Sequence, residues 1–407
     1  MTYAGSFPIR GWSLKVLLSA YACEPGKGSE PEVGLRAMLA VASRHEVWVL
    51  TRSNNISVLT EFLQSHPLRD RIHLVGMEAS DRAVSLKRKG LLPVQIYYDL
   101  WQRSAGRIAR RLDEEVEFDL VHHVTFASFW SRTGVATLNR PLVWGPVGGG
   151  VAVPRHFTRL LGWRGVAGEM ARAIVRGPAG WAHNPARNRA APTLVLAQNR
   201  ETARKLGGFS DVRVLSNATV VSLPATITDG SRTKEVAFVG RLVPWKAGTL
   251  AVRVMNHVAD PDAVLVVYGQ GRDAARIQRL ARARGVKVRF EGQLSRDRLL
   301  DSVARSSVLL HVALHEEAGL AVAEALSLGT PVVCLDHGGP SELVRRWGST
   351  PSVAVPPSSP EATARQLAVA VEGFLAAPAE IRRSPLAPDP TFRSEILRAY
   401  EDLLRSR

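Results

Sequence analysis

Two glutamates in the carboxyl-terminal third of the chain are spaced so that both carboxylates could act in one pocket. Glu316 and Glu324 have seven residues between them, the first in a predicted loop and the second within a helix that begins near Leu320. Both carboxylates are therefore expected to face one pocket at the helix N-terminus, where unpaired N–H groups and the positive end of the helix dipole suit a diphosphate. A carboxylate there can accept hydrogen bonds from sugar hydroxyls. On spacing alone, the alternative is that acids simply favour the first turn of a helix.

Two cations, Arg241 and Lys246, lie five residues apart in a loop after a predicted strand, Val236–Val239. Cations at the carboxyl end of a strand can converge on one pyrophosphate, in the crevice where open α/β sheets bind ligands. Taken alone, such a pair is more often a solvated loop. Gly269 and Gly271 follow the next predicted strand and permit a close backbone approach.

The elements that must position these residues are short apolar runs alternating with helical patterns, which predict βαβ units and parallel sheets. A polar segment, Pro224–Lys234, divides the predicted strands into two series and is typical of a linker. We therefore expect an α/β protein with two Rossmann-like domains. The predicted bounds are an amino-terminal domain at 1–223, a linker at 224–234, a carboxyl-terminal domain at 235–389 and an amphipathic helix at 390–407.

The chain of 407 residues carries a net charge of +16, and this surplus is uneven. Residues 1–230 hold 29 basic and 18 acidic side chains, and the segment 155–189 has seven arginines and one acid, interleaved with aromatic residues. Such a pattern favours an anionic partner, for which an anionic lipid surface or an anionic acceptor fits best. The alternative is an arginine-rich composition without a specific partner. Nucleic acid is not expected, because no helix-turn-helix, RNA-binding or zinc-finger pattern appears.

Several classes of protein are disfavoured by what the sequence does not contain. Its two cysteines, Cys23 and Cys334, each adjoin an apolar run, so a disulfide framework is not expected and a reducing compartment fits. No cluster has metal-ligand spacing, so no metal is expected. No apolar run is long enough for a membrane helix, and no signal peptide is recognisable, which predicts a cytoplasmic location.

The carboxyl-terminal half resembles the donor domain of retaining glycosyltransferase family 4, within the glycosyl transferases group 1. That family typically has Gly-Arg-Leu and Lys after a strand, then Gly-x-Gly, Glu-x7-Glu and Gly-Thr-Pro-Val-Val. This chain has them, in that order, at Gly240–Leu242, Lys246, Gly269 and Gly271, Glu316 and Glu324, and Gly329–Val333. It departs from the pattern at Ala247, where a Gly is usual, and at Glu317-Ala318, where Gly-Phe is common.

The amino-terminal half is similar to the acceptor domain of the same family. The run Tyr21–Pro31 looks like the glycine-rich loop that approaches the donor phosphates, here through Gly26, Gly28 and Ser29. The run Asp119–Thr125 resembles the family's Asp-x-x-His motif near the reaction centre. Neighbouring residues of a strand point to opposite faces, so the resemblance predicts that either His122 or His123 lines the reacting face.

The resemblance implies a GT-B fold, in which two Rossmann-like domains face each other across a cleft and the last helix crosses back to the first domain. It also implies roles for individual residues. Arg241 and Lys246 would neutralise the pyrophosphate, Glu316 would bind the sugar at the catalytic centre, and Glu324 would bind the ribose. The backbone N–H groups expected to assist are those of Gly319, Leu320 and Ala321.

The implied activity is transfer of a sugar from a UDP- or GDP-sugar to an acceptor hydroxyl, with retention and without a metal or other cofactor. The expected acceptor is a sugar, a glycan or a lipid-linked intermediate of polysaccharide, glycolipid or other glycoconjugate biosynthesis. The basic surplus suggests peripheral attachment to the inner face of the plasma membrane. Two alternatives are a GT-B nucleotide-sugar 2-epimerase and a non-catalytic basic adaptor that binds a membrane or polyanion.

Overall fold

The computed structural model describes residues 13–175, 185–187, 189–218, 232–346, 350–377 and 390–405. These residues form two β-sheets, one of seven and one of six strands, in which all neighbouring strands run parallel. Helices cover both faces of each sheet. Strands of this kind are buried on both sides, which is why they are short continuous apolar runs in the sequence.

The first sheet has the strand order β3-β2-β1-β4-β5-β6-β7. Its strands are β1 Lys15–Ser19, β2 Glu46–Arg52, β3 Ile72–Met77, β4 Leu120–His123, β5 Leu142–Val147, β6 Thr193–Ala197 and β7 Asp211–Val214. The helices of this unit are α1 Ser29–Ala42, α2 Ser53–Leu63, α3 Asp81–Arg88, α4 Val94–Val116, α5 Gly162–Val175 and α6 Arg200–Lys205.

The second sheet has the order β10-β9-β8-β11-β12-β13. Its strands are β8 Thr233–Val239, β9 Val264–Tyr268, β10 Val288–Gly292, β11 Ser306–His311, β12 Val332–Leu335 and β13 Ser352–Val355. The helices are α7 Gly248–Met255, α8 Ala274–Ala283, α9 Arg296–Arg305, α10 Leu320–Ser327, α11 Gly338–Arg346 and α12 Pro360–Ala376.

The order in which successive strands are added reverses once in each sheet, and the functional site lies at these two reversal points. In the first sheet β1 and β4 are neighbours, and the strands beyond them spread to opposite sides; in the second sheet β8 and β11 have the same relation. The connections that follow two such strands diverge and leave a crevice at the carboxyl ends of the strands. Open α/β sheets bind their ligands in that crevice.

The last helix, α13 Pro390–Arg405, returns to the first unit and packs on α1, β5 and β6. Its predicted apolar side is buried there, at Phe392, Ile396, Leu397, Tyr400 and Leu403. The Tyr400 hydroxyl lies 2.8 Å from His122 Nδ1 beneath the sheet. The prediction that the final helix crosses back to the amino-terminal domain is therefore confirmed.

The predicted linker at 224–234 lies mostly outside the described residues. At its end the structure differs from the prediction, because β8 already begins at Thr233, two residues before the predicted domain start. Arg232, just ahead of β8, is buried and donates to the carbonyls of Ala304 and Gly329, which ties the start of the strand to the second unit. None of the helices in the described ranges is long and apolar enough to cross a membrane.

Candidate active site

A cavity of about 420 Å³ lies between the two units at the carboxyl ends of both sheets, a volume typical of a small-molecule site. The first unit lines it with residues at the start of α1 and beyond β6 and β7: Ser29, Glu30, Val33, Gln198, Asn217 and Ala218. The second unit lines it with the loops after β8 and β11: Gly240, Arg241, Trp245, Lys246, His315, Glu316, Glu317, Ala318 and Leu320.

Arg241 and Lys246 both line this cavity, as their spacing predicts. Lys246 forms an ion pair with Oε2 of Glu316, and both side chains are largely buried. Within the described part of the chain Arg241 has no ion pair, and its exposed guanidinium is available to a ligand oxygen. Ala247, where the related family has Gly, adopts a left-handed φ of 53°.

The ionisation of Glu316 depends on its neighbours. Burial by itself raises the pKa of this carboxyl, but Lys246, His311 and the Gly319 N–H outweigh it, and the net pKa lies below the ordinary value. His311 Nε2 lies 3.8 Å from Glu316 Oε2, and burial together with Lys246 lowers the pKa of His311 to about 4. At neutral pH the site therefore holds an ionised carboxylate and a neutral imidazole beside Lys246.

Glu324 does not share the cavity with Glu316, contrary to the expectation from their spacing. It is buried on α10 and accepts from Arg296 Nη1 at 2.8 Å. Burial raises its pKa, and Arg296 partly opposes that shift. The sequence contained no sign of Arg296, because the contact joins two helices and depends on how they pack.

The predicted amides at the start of α10 are only partly at the cavity. Leu320 lines it, and Gly319, with a φ of 85°, forms the turn that precedes the helix. Pro340 packs so closely that a Cβ on Gly319 would lie 3.2 Å from its ring. Ala321 is half-buried and is not part of the lining.

Gly269 and Gly271 are placed against protein backbone rather than against the cavity. A Cβ on Gly269 would lie 2.1 Å from the Gly240 carbonyl oxygen, and one on Gly271 would lie 2.3 Å from that of Leu242. The Leu242 N–H donates to the Gln270 carbonyl at 2.9 Å. These glycines therefore permit the predicted close backbone approach, but to the loop that carries Arg241. They do not line the cavity.

The glycine-rich loop of the first unit reaches the cavity through its end. Ser29 lines the cavity with a φ of 51°, whereas Gly26 and Gly28 lie outside the lining. Glu30, the next residue, accepts from the Phe126 N–H at 2.7 Å and from Asn217 Nδ2 at 3.0 Å. Burial raises the pKa of Glu30, and these two hydrogen bonds oppose the shift.

The prediction that His122 or His123 lines the reacting face is wrong. Both are fully buried at the end of β4 and point to opposite sides of the sheet. His122 Nε2 lies 2.7 Å from the Gly145 carbonyl, which can only accept, so its Nδ1 accepts from Tyr400.

His123 is engaged on the opposite face, where its Nε2 lies 2.9 Å from the Tyr98 hydroxyl. Burial lowers the pKa of His122 to about 4 and that of His123 to about 3. Both rings are therefore neutral parts of the core, and a strand that is buried on both sides offers neither of them to the cleft.

Glu317, one of the two departures from the family pattern, joins the two units. Its Oε1 accepts from the Val151 N–H at 3.1 Å, and its Oε2 accepts from Asn199 Nδ2 at 3.0 Å and from Thr202 Oγ1 at 3.3 Å. Asn199 also caps α6 by accepting from the Thr202 N–H. A carboxylate next to Glu316 thus fixes the β11 loop to the opposite wall.

A second contact between the units lies beside this one. Glu201 accepts from the Gly338 N–H at 3.1 Å, and its Oε1 lies 3.5 Å from His337 Nδ1. Burial raises the pKa of Glu201, but these two partners outweigh it and lower the pKa to about 2. Within the described residues no group of three or more metal-binding side chains occurs.

Comparison with known proteins gives partial sequence matches. Residues 227–374 match the family described as Glycosyl transferases group 1. The D-inositol 3-phosphate glycosyltransferase of Streptomyces bingchenggensis is 34% identical over 143 residues, 32% of this chain and 31% of that protein. The GDP-mannose-dependent alpha-mannosyltransferase of Mycolicibacterium smegmatis is 35% identical over 109 residues, 27% of each chain. The chain thus spans less than a third of the length of these two curated relatives.

Solved structures match over nearly the whole chain. The lipopolysaccharide outer core galactosyltransferase WaaB, in its apo form, aligns with 97% of this chain and 99% of its own, with 13% identity and a TM-score of 0.56. Such a likeness shows the fold, which is GT-B as predicted. The resemblance to glycosyl transferases group 1 is confirmed over 227–374, while membership of family 4 and the retaining stereochemistry stay predictions.

The contacts of Glu317 predict that Glu317→Ala loosens the first unit from the β11 loop. The Val151 amide loses its acceptor, so we expect its hydrogen exchange to become faster by about tenfold. The measurement is hydrogen–deuterium exchange by mass spectrometry on peptides that contain Val151. Glu401→Ala is the control, because Glu401 pairs with Arg44 at an exposed position of the first unit. Unchanged exchange at Val151 in Glu317→Ala would contradict the prediction.

Proposed function

We propose that this chain, which carries a glycosyl transferases group 1 domain within a GT-B fold, transfers a sugar from a UDP- or GDP-sugar to an acceptor hydroxyl. One observation carries the proposal. Arg241, Lys246 and Glu316 converge on one cavity between the units, beside the start of α10. Two cations and a helix N-terminus suit a pyrophosphate, and an ionised carboxylate next to them suits sugar hydroxyls.

In the proposed chemistry the bond between the anomeric carbon and the diphosphate oxygen breaks while the acceptor oxygen bonds to that carbon. The proton of the acceptor hydroxyl passes to the departing diphosphate. Negative charge builds up on the leaving pyrophosphate, and Arg241 and Lys246 would stabilise it without reorganising. Because both cations belong to the chain, we propose that no metal or other cofactor is required. Retention of configuration rests on the resemblance to family 4.

Glu316 and Glu324 take different roles in this proposal. Glu316 would accept from the donor sugar once the pyrophosphate draws Lys246 toward itself. Glu324 would bind the ribose, for which it must exchange its contact with Arg296 for the hydroxyls or keep both. The Arg296 side chain is 41% exposed, so water can replace Glu324 as its partner when it moves.

The proposed acceptor is a sugar, a glycan or a lipid-linked intermediate of polysaccharide, glycolipid or other glycoconjugate biosynthesis, met at an anionic membrane surface. Two parts of the first unit support this location. Lys87, Arg88 and Lys89 stand beside exposed apolar residues at Leu91, Val94 and Ile96. Helix α5 exposes Trp163, Met170 and Ile174, close to Arg155 and Arg159 in the sequence. Cations together with exposed apolar side chains are typical of interfacial binding. Part of the arginine-rich segment 155–189 lies outside the described residues.

The donor proposal predicts that UDP or GDP raises the thermal stability of the protein. A ligand at 100 times its Kd adds about 2.7 kcal/mol to the free energy of unfolding, and Arg241→Ala should lose most of the shift at the same concentration. The measurement is a thermal-shift series with UDP, GDP and their sugars. Arg272→Ala is the control, since Arg272 is exposed one loop away and does not line the cavity.

Two outcomes would contradict the donor proposal. If neither nucleotide stabilises the wild type, a non-catalytic adaptor is favoured. If the protein instead epimerises a nucleotide sugar in the absence of an acceptor, it is a 2-epimerase rather than a transferase.

The membrane proposal predicts binding to vesicles that contain phosphatidylglycerol, weakened by salt because part of the attraction is electrostatic. The double variant Trp163→Ser/Ile174→Ser removes side chains that are 76% and 80% exposed, and it should lower the partition coefficient by about tenfold or more. Val369→Ser is the control, because Val369 is 69% exposed on α12 of the other unit. Absence of vesicle binding, or binding that salt does not weaken, would refute the proposal.

A further inference from the structure

Phe126 adopts an unusual backbone conformation just beyond β4. Its φ is 54°, in the left-handed region that bulky side chains rarely occupy, and its side chain is 40% exposed. Exposing a large apolar ring in a strained conformation costs stability twice, through the backbone and through the lost burial. Such a cost persists where the surrounding structure enforces it, and it commonly marks a functional position.

The residue that holds Phe126 in this backbone conformation is Glu30, at the start of α1 after β1. Its Oε2 accepts from the Phe126 N–H at 2.7 Å, while its Oε1 accepts from Asn217 Nδ2. Since β1 and β4 are the neighbouring strands at which the strand order of the first sheet reverses, this hydrogen bond spans the crevice in which such a sheet binds ligands. Glu30 itself lines the cavity, opposite Arg241 and Lys246.

The Phe126 ring is supported from below by two buried aromatic residues. Its centroid lies 5.2 Å from that of Tyr21, at an interplanar angle of 73°, and 5.9 Å from that of Tyr98. The Tyr98 hydroxyl is anchored in turn at 2.9 Å from His123 Nε2. The ring therefore rests on a rigid base and keeps its remaining surface open to solvent.

Resting on the proposed function, we propose that Phe126 is the platform on which the pyranose ring of the acceptor lies, and that Glu30 is its positioning residue. The negative face of an aromatic ring attracts the polarised C–H groups on the apolar side of a pyranose. The carboxylate of Glu30 at the same wall disfavours an anionic group beside the ring. The acceptor sugar that enters the cleft is therefore neutral, and any anionic part of the acceptor stays outside, near the basic surface.

Saturation-transfer NMR tests this assignment on the full chain, in the presence of UDP or GDP. The probes are methyl α-D-mannopyranoside, methyl α-D-glucopyranoside and methyl β-D-galactopyranoside. We expect at least one to bind, with a Kd that Phe126→Gly raises by about tenfold and that Phe126→Trp leaves within about threefold. Val58→Ala is the control, because it removes an apolar side chain of similar exposure, 39%, on α2 of the first unit and should change nothing.

The choice of glycine separates a binding role from a structural one. Glycine adopts a positive φ without strain, so Phe126→Gly should keep or raise the melting temperature while it loses glycoside binding. It should also leave the affinity for UDP or GDP unchanged. The assignment is overturned if no glycoside binds, if Phe126→Gly binds as tightly as the wild type, or if it weakens nucleotide and glycoside binding equally.

The same data distinguish this inference from the proposed function. Glycoside binding that depends on Phe126, in a protein that binds neither UDP nor GDP, would refute the donor proposal and keep the sugar platform. Nucleotide binding without any glycoside binding would do the reverse.

Discussion

The ion pair between Lys246 and Glu316 is the interaction on which the rest of the site depends. Lys246 follows β8 and Glu316 follows β11, the two neighbouring strands at which the strand order of the second sheet reverses. Their loops must diverge there, and the charges meet across the gap between them. The hydrogen bond from the Phe126 N–H to Glu30 likewise joins the segments that follow β4 and β1, the corresponding pair of strands in the first sheet. The cavity therefore lies between two crevices, one in each sheet, and each crevice is spanned by one polar contact.

The relative position of the two crevices is fixed by contacts next to the charged groups. The Glu317 carboxylate accepts three hydrogen bonds from the first unit, and Glu317 is the immediate neighbour of Glu316. The domain contact and the carboxylate proposed to bind the sugar therefore share one loop. The related family commonly has glycine at this position, which cannot make such a contact. The hydrogen bond from the Gly338 N–H to Glu201 adds a second contact. Helix α13, which follows the second unit in the chain, also packs on α1 of the first unit.

Much of this architecture could be predicted from sequence, because buried parallel strands are short apolar runs and helices have their own periodicity. The predicted helix start near Leu320 and the pairing of Arg241 with Lys246 depended only on such local signals. The role of His122 could not be predicted, because it depends on Tyr400, which lies 278 residues away and reaches the sheet through the last helix. Glu324 was misplaced for a similar reason, since Arg296 contacts it from another helix.

The central claim is that Lys246 and Glu316 together receive the diphosphate and the sugar of a nucleotide sugar. Isothermal titration calorimetry with UDP and GDP, and with the corresponding monophosphates, tests it on Lys246→Met and Glu316→Gln. The account predicts that Lys246→Met weakens the binding of the diphosphate by about tenfold and that of the monophosphate much less, because Lys246 would contact the outer phosphate. Glu316→Gln should bind the free diphosphate at least as tightly as the wild type, since its lysine is released. Equal losses for mono- and diphosphate in Lys246→Met, or a weaker diphosphate in Glu316→Gln, would contradict the account.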